Sequence, residues 1–361
     1  MKILLICTTS NQIITFRKDL INKLQSEGLE VFTIAFDDEH KETIAERGVK
    51  HFSISGSNRS LNPFKMLTLK KQYINIIKQV QPDIVFTFML KPNIFGVKAA
   101  KAMGIKKIYS MVEGAGDVFI NNGLKWKAIR SIVCTMYRSS FKSTDKVFFL
   151  NNDDKAEFIS RNLVISDKCE VIPGIGIDTD FFEYKPIKSH NTFLMIARML
   201  KTKGVIEYCK AARIVKQKYP DAVFNYLGAE GNLKVSDIQE YIDDGSINYL
   251  GTTRDVRPYL EECTVFVLPT YREGFPVSVM EAMASGRAVI ASDTNGCRDA
   301  VVDAQTGILV SVGNEKELAD KLIWSIEHPE EIVIFGTNGR ALAEKKFNRS
   351  SINNEITEKI L

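Results

Sequence analysis

Short apolar runs alternate with helix-length amphipathic stretches along the whole chain. In the first half the runs at 2–7, 30–36, 83–88, 107–112, 146–150 and 169–172 have the length and Val/Ile/Phe content of buried parallel strands. Helical spacing fills 16–26, 39–47, 63–79 and 93–103, with Gly28, Gly48 and Gly104 placed to stop three of them. The alternation restarts after 190. Strands are predicted at 192–196, 222–227, 247–250, 264–268, 288–292 and 307–310. Helices are predicted at 205–218, 237–243, 258–262, 276–285, 315–327 and from 330 to the end, with a turn into helix at 295–301. Two successive strand–helix series predict two doubly wound parallel α/β sheets.

The stretch Glu273-Gly-Phe-Pro-Val-Ser-Val-Met-Glu281 follows the apolar run 264–268 through the turn Pro269-Thr-Tyr-Arg272. Pro276 suits the first position of a helix, where its missing N–H costs nothing, and Gly286 suits the end. Glu273 then lies in a loop at the carboxyl end of a strand. The N–H groups of Val277 and Ser278 are left for an anion. Glu281 sits about one turn into the helix, at ~1.5 Å rise per residue. One phosphate-bearing ligand could meet all three; a strand–turn–helix corner with solvated glutamates would read the same. Two cations, Arg198 and Lys203, follow the strand at 192–196 and suit a diphosphate, one as a fork and one as a mobile ammonium. Arg198, Lys203, Glu273 and Glu281 all fall at carboxyl strand edges of one predicted sheet, where doubly wound folds bind ligands.

Charge changes this picture in one place. The 361-residue chain carries +4, but residues 59–146 hold sixteen Lys/Arg against four Asp/Glu. A concentrated basic stretch attracts nucleic acid, anionic lipid or a diphosphate substrate. Within it, Leu124, Ile129, Ile132, Val133, Met136, Tyr137 and Phe141 keep helical spacing while Lys125, Lys127, Arg130, Arg138 and Lys142 fill other faces. With Trp126 that pattern fits a membrane-surface helix, and it fits better a packed helix whose basic outer face is still usable for shallow membrane contact. Six cysteines without a CxxC fit a reduced, cytosolic protein, and no apolar run approaches the ~18 residues of a membrane span. Pro173-Gly-Ile-Gly-Ile-Asp-Thr-Asp180 reads as a hinge. Its Asp178-Thr-Asp180 spells the DxD that holds a metal–diphosphate in some transferases, but it leaves a turn and enters Phe181-Phe182, and no metal is expected. Nothing matches GxxxxGK[ST], and the first turn lacks GxGxxG, so kinase and dehydrogenase functions lose their main support.

The run from Pro269 to Gly286 resembles the E-x7-E motif of retaining family-four glycosyltransferases. Arg198 to Gly204 resembles their R-x4-KG, and Gly307-Ile-Leu-Val310 the strand after the motif. The resemblance covers most of 170–325. It implies a GT-B fold: two Rossmann-like domains, 1–185 and 186–340, facing across a cleft, with 341–361 a C-terminal helix crossing back to the first. It implies a UDP-sugar donor and no cofactor. Glu281 would bind ribose hydroxyls, Glu273 the transferred sugar, Arg198 and Lys203 the diphosphate. Backbone N–H groups around Gly274, Phe275, Val277 and Ser278 would hold sugar or phosphate, and Arg254 would lie in the base-binding loop 251–254. Arg198, Lys203 and the helix N-terminus would stabilise the departing diphosphate without metal, while the leaving phosphate accepts the acceptor's proton.

In the first half, Asn58-Arg-Ser-Leu-Asn-Pro-Phe64, Val112-Glu-Gly-Ala-Gly116 and Phe16-Arg17 are similar to α-1,3-N-acetylgalactosaminyltransferases that extend undecaprenyl-diphosphate-linked sugars. That similarity implies a polyprenyl-diphosphate-linked sugar acceptor, peripheral attachment to the cytoplasmic face of an anionic inner membrane, and a place in bacterial surface-glycan or glycoprotein assembly. Glu113 joins the catalytic set, although many members carry His there. The usual first-turn glycine pair is replaced by Thr8-Thr-Ser10. Arg17, Arg59 and Lys91 are the candidate acceptor contacts. No nucleic acid is expected. Three other functions keep the same fold: a sugar-nucleotide 2-epimerase, which converts donor without acceptor; a pyridoxal phosphorylase, which shows cofactor absorbance; and a non-catalytic nucleotide-sugar or nucleic-acid binder.

Overall fold

Both strand–helix series form parallel sheets. The computed structural model describes residues 1–56, 63–120, 123–188 and 191–361. Strands β1 (Lys2–Ile6), β2 (Glu30–Ala35), β3 (Lys50–Ser53), β4 (Ile84–Phe88), β5 (Lys107–Val112), β6 (Lys146–Phe149) and β7 (Cys169–Val171) lie in the order β3-β2-β1-β4-β5-β6-β7. Strands β8 (Thr192–Ile196), β9 (Val223–Leu227), β10 (Asn248–Tyr249), β11 (Val265–Leu268), β12 (Ala288–Ser292) and β13 (Gly307–Val310) lie in the order β10-β9-β8-β11-β12-β13. Both follow the Rossmann order, which reverses direction beside its first strand. The switch points therefore fall between β1 and β4, registered Ile3 to Ile84, and between β8 and β11, registered Phe193 to Val265. The central strands are buried on both faces, so they read as unbroken apolar runs.

Two compact units result: Met1–Ile172 with Ser350–Leu361, and Pro173–Arg349. The division lies at the Pro173 hinge rather than at 185, because 173–185 is tied to the second unit. Ile177 N donates to Phe347 O at 2.7 Å, Arg349 N to Ile177 O at 2.9 Å, and Arg340 Nη1 to Phe182 O at 2.6 Å. Residues 341–349 belong to the second unit for the same reason. The last helix, Arg349–Ile360, is counted with the first unit from Ser350 onward. There Lys359 Nζ reaches Glu170 at 2.6 Å and Lys107 Nζ reaches Leu361 O at 2.7 Å.

Three local expectations are corrected. The helix expected from 16 is preceded by another: Thr9 caps Ser10–Phe16 in a capping box with Gln12, and Arg17 separates that helix from Lys18–Ser26. Strand β3 was not expected; it is short, and its His51 is buried against Thr33, Nδ1 to Oγ1 at 2.9 Å. The helix Asn152–Ser160 was also missed, although Asn151 caps it through Asp154 N at 2.7 Å and Asp153 and Asp154 occupy its first turn. In the second unit Arg287 is fully buried, with its guanidinium donating to Cys263 O at 3.0 Å and to the carbonyls of Ser285, Glu261 and Lys185.

The helix Pro329–Lys346 packs against Val277–Ala284 so closely that a Cβ on Gly336 would stand 2.3 Å from Gly286 O. Gly336→Ala is expected to cost about 1–3 kcal/mol, the usual scale of overpacking. A lowered thermal midpoint checks it; an unchanged midpoint contradicts the close approach.

Candidate active site

The second switch point gathers the loops after β8 and β11. The chain leaves β8 through Ala197 and Arg198, makes a 3-10 turn at Lys201–Lys203, and enters the helix Val205–Lys218 at Gly204. Gly204 has φ +73, and a Cβ there would lie 1.9 Å from Pro269 O. Only glycine allows both the left-handed backbone and this contact. The loop after β11 is laced to the turn: Tyr271 N and Thr270 Oγ1 donate to Thr202 O at 2.9 and 3.0 Å. The consequence is electrostatic. Lys203 Nζ meets Glu273 Oε1 at 2.5 Å, with the two side chains 26% and 11% exposed.

The loop after β12 supports Glu273 from below. Glu273 N donates to Asn295 O at 3.2 Å, and Gly296, at φ +75, would place a Cβ 2.6 Å from Gly274 O. Asn295 and Gly296 were not among the expected site residues. Their signal was the Asn-Gly pair at a carboxyl strand edge.

The helix Val277–Ala284 starts one residue later than expected, with Pro276 as its N-cap at φ −74 and ψ 108. Pro276 has no side-chain donor or acceptor with which to close the helix end. The N–H groups of Val277 and Ser278 find no partner among the described residues, while Val279 and Met280 N–H bond Pro276 O at 3.2 Å. Phe275 turns inward: it is buried, stacks edge-on against Phe347 with centroids 5.3 Å apart, and sits where Gly174 leaves room. Its side chain is therefore packing, and only its backbone faces the loop.

Glu281 is half-buried one turn into that helix. Burial pushes its carboxyl up to about 7, partly offset by the charge of Arg349. Arg349 is a third residue the sequence did not single out; its Nε donates to Gly176 O at 3.2 Å. Arg198 is exposed at the end of β8, and its side chain forms no ion pair among the described residues. Arg254 is exposed in the loop after β10, which is held by Gly228 N donating to Gly251 O at 2.8 Å. Asp178 of the DxD accepts from Asp180 N at 3.1 Å and Phe181 N at 2.9 Å, so it closes its own turn.

The first switch point gathers a different set. Arg17 is buried and ion-paired with Glu113 at the end of β5. Lys91, after β4, is also buried, and burial lowers its ammonium. Neither offers the open cation expected of an acceptor-phosphate contact. Arg59 lies outside the described residues. Among the described residues one group has the spacing of metal ligands, Asp37, Glu39 and His40 after β2; Asp37 already accepts from Ser10 N at 3.1 and 3.2 Å.

With this geometry established, comparison with known proteins gives consistent matches. Residues 176–342 match the family model "Glycosyl transferases group 1", and residues 2–151 match "Glycosyl transferase 4-like". The chain is 33% identical over 327 residues to the N,N'-diacetylbacillosaminyl-diphospho-undecaprenol alpha-1,3-N-acetylgalactosaminyltransferase of Campylobacter jejuni, covering 86% of each chain. It is 25% identical over 293 residues to the UDP-Gal:alpha-D-GlcNAc-diphosphoundecaprenol alpha-1,3-galactosyltransferase of Escherichia coli, covering 76% of this chain and 74% of that one. Among solved structures, Anabaena HepE in complex with UDP and glucose superposes with a TM-score of 0.81 at 16% identity, over 100% of this chain and 99% of that one. That likeness and the two parallel sheets establish the GT-B fold.

The raised carboxyl has a consequence for stability. The folded state holds a proton on Glu281 up to about pH 7 that the unfolded chain releases near 4.5. Its contribution is fully present below 4.5 and is lost as pH rises to about 7. The thermal midpoint of Glu281→Gln is expected to lack that decline between pH 4.5 and 7. Parallel curves for the two proteins would contradict the burial of this group.

Proposed function

This chain belongs to the group 1 glycosyltransferases, and we propose that it moves an N-acetylhexosamine, GalNAc in α-1,3 linkage, from a UDP-sugar to an undecaprenyl-diphosphate-linked sugar. The observation that carries this is the 33% identity over 86% of both chains to a transferase of that name. A second undecaprenol-linked relative, named for UDP-Gal, supports the acceptor class and the uridine donor while leaving the sugar to this chain's own pocket. Relatives named as transferases give the epimerase and phosphorylase functions no support.

The reaction proceeds with retention and without metal. As the sugar–diphosphate bond lengthens, negative charge grows on the diphosphate. Lys203, Arg198 and the Val277 and Ser278 N–H groups receive it. Glu273, anchored through Asn295, accepts hydrogen bonds from the transferred hexose and orients it. The leaving phosphate takes the acceptor hydroxyl's proton. Glu281 binds the ribose hydroxyls in its ionised form, so donor binding at neutral pH releases a proton.

Attachment to the cytoplasmic face of an anionic membrane belongs to the first unit, in bacterial surface-glycan assembly. The helix Leu124–Phe141 buries Val133, Tyr137 and Phe141 and leaves Leu124 86% and Ile132 61% exposed among lysines and arginines. No helix among the described residues is long and apolar enough to cross a membrane.

A panel of UDP-sugars against lipid-diphosphate sugar acceptors, read by product mass, tests the function. The expected product gains one N-acetylhexosamine. Conversion of donor without any acceptor product would sink it. Lys203→Ala and Arg198→Ala should each lower turnover by roughly 100-fold, the scale for one preorganised charge stabiliser. Near-normal turnover in both variants contradicts the leaving-group assignment.

A further inference from the structure

The buried ion pair at the first switch point has a geometry that phosphate binding does not explain. Arg17 sits at the break between the helices Ser10–Phe16 and Lys18–Ser26, ending one and starting the other. The break sends its side chain under the sheet edge, where it is 3% exposed. The guanidinium lies 4.2 Å from the ring centroid of Phe88, the last residue of β4, and pairs with Glu113 just beyond β5. Nη1 also donates to Phe16 O at 3.3 Å. Burial pushes the Cys7 thiol beside it up to about 12, so Cys7 is neutral and Glu113 is the countercharge. Arg17 Nε is buried with no hydrogen-bond partner.

Glu113 is the more open partner of the pair. Its side chain is 14% exposed at the carboxyl edge of β5, next to the switch point where doubly wound sheets bind ligands. Its loop is held rigidly. Ala115 N donates to Asp154 Oδ2 at 3.2 Å, and Gly114 and Gly116 take φ +145 and +77. Across the edge, Met89 directly after Phe88 adopts φ +73, a conformation that non-glycine residues hold only under constraint. An arginine fork under an acidic group fixes both its position and its charge.

We propose that Arg17 is a positioning residue: from beneath the edge of the first sheet it fixes Glu113 as an acceptor of hydrogen bonds from hydroxyl or amide N–H groups of a bound sugar, and the pair sets which sugar is taken. This rests on the glycosyltransferase function above. A carboxylate accepts and does not donate. The pair therefore selects sugars that present a donor at that point, where a histidine would supply one itself. Arg17 acts through Glu113 and does not meet the acceptor's phosphates.

The test is steady-state kinetics on Arg17→Lys, Arg17→Met, Glu113→Gln and the double variant Arg17→Met with Glu113→Gln, alongside UDP binding and thermal midpoints. Each single variant is expected to lose about tenfold or more in kcat/KM for the sugar substrates, with UDP affinity within about twofold of the unsubstituted protein. Arg17→Lys, which keeps charge without the fork, should recover part of the loss seen in Arg17→Met. The double variant should be no worse than the poorer single variant, because one carboxylate is lost either way. Two results overturn the proposal: unchanged kinetics per folded enzyme with only a lower midpoint, or losses that multiply in the double variant. Should Arg17→Met not fold, Arg17→Lys and Glu113→Gln decide alone. Failure of the unsubstituted protein to transfer any sugar is a separate result, which overturns the function and this proposal together.

Discussion

The close approach of Gly204 to the carbonyl of Pro269 holds the second site together. A side chain at 204 would fall 1.9 Å from that oxygen, so the loops after β8 and β11 meet only because nothing projects there. Adjacent strands at a switch point diverge into loops on opposite faces of the sheet, which opens the crevice. Here the crevice is pinned at its base by Thr202 O, which takes two hydrogen bonds from the β11 loop. Lys203 is one residue beyond Thr202, and Glu273 two beyond Tyr271. Their 2.5 Å contact follows from backbone geometry rather than from their own attraction. A largely buried pair of this kind adds little net stability by itself, because desolvation offsets the attraction. Its value is that the ammonium is already desolvated and aimed.

Two kinds of positive or donor character lie on the carboxyl side of this sheet without a countercharge. The first turn of the helix Val277–Ala284 has a proline cap that cannot close it, leaving its first two N–H groups open. Arg198 is solvated and unpaired among the described residues. Glu281, which could have neutralised them, is pushed by burial to about 7 and is only partly charged at neutral pH. The crevice is thus biased toward an anion, and the helix dipole adds to the bias.

Much of this was legible in the letters, and the limits were physical. Buried parallel strands are continuous apolar runs, so twelve of the thirteen are placed within a residue or two. The exception β3 is an edge strand of four residues with a polar face, and period alone does not separate it from loop. Glu273, Glu281, Arg198 and Lys203 were legible because each follows an apolar run directly. Arg349 was not, because it reaches Glu281 from sixty-eight residues downstream, at the point where the chain leaves the second unit. Pairing is the general blind spot. The sequence shows Arg17 as one more cation in a basic half, while the fold buries it under Glu113. Net charge counts side chains without knowing which are already matched. The basic stretch 59–146 therefore overstates what the first unit offers an anion wherever a lysine or arginine turns inward, as Lys91 does.

The two switch points use one device with opposite settings. Each pairs a cation with a glutamate on the carboxyl side of its sheet. At the second, the cation is a lysine, 26% exposed on a flexible stem. A point charge on such a stem can exchange a carboxylate for a phosphate with little reorganisation. At the first, the cation is an arginine, 3% exposed, fixed between a ring and a carboxylate. Burial lowers its guanidinium only to about 10, so it stays charged at neutral pH and cannot leave. A mobile cation suits a ligand whose charge changes during reaction, because it can follow the developing anion. An immobile one suits a ligand that must be read the same way each time, because it fixes the group that does the reading. The difference between Lys203 and Arg17 is therefore one of mobility: the second sheet carries a cation that can change partners, and the first carries one locked in place.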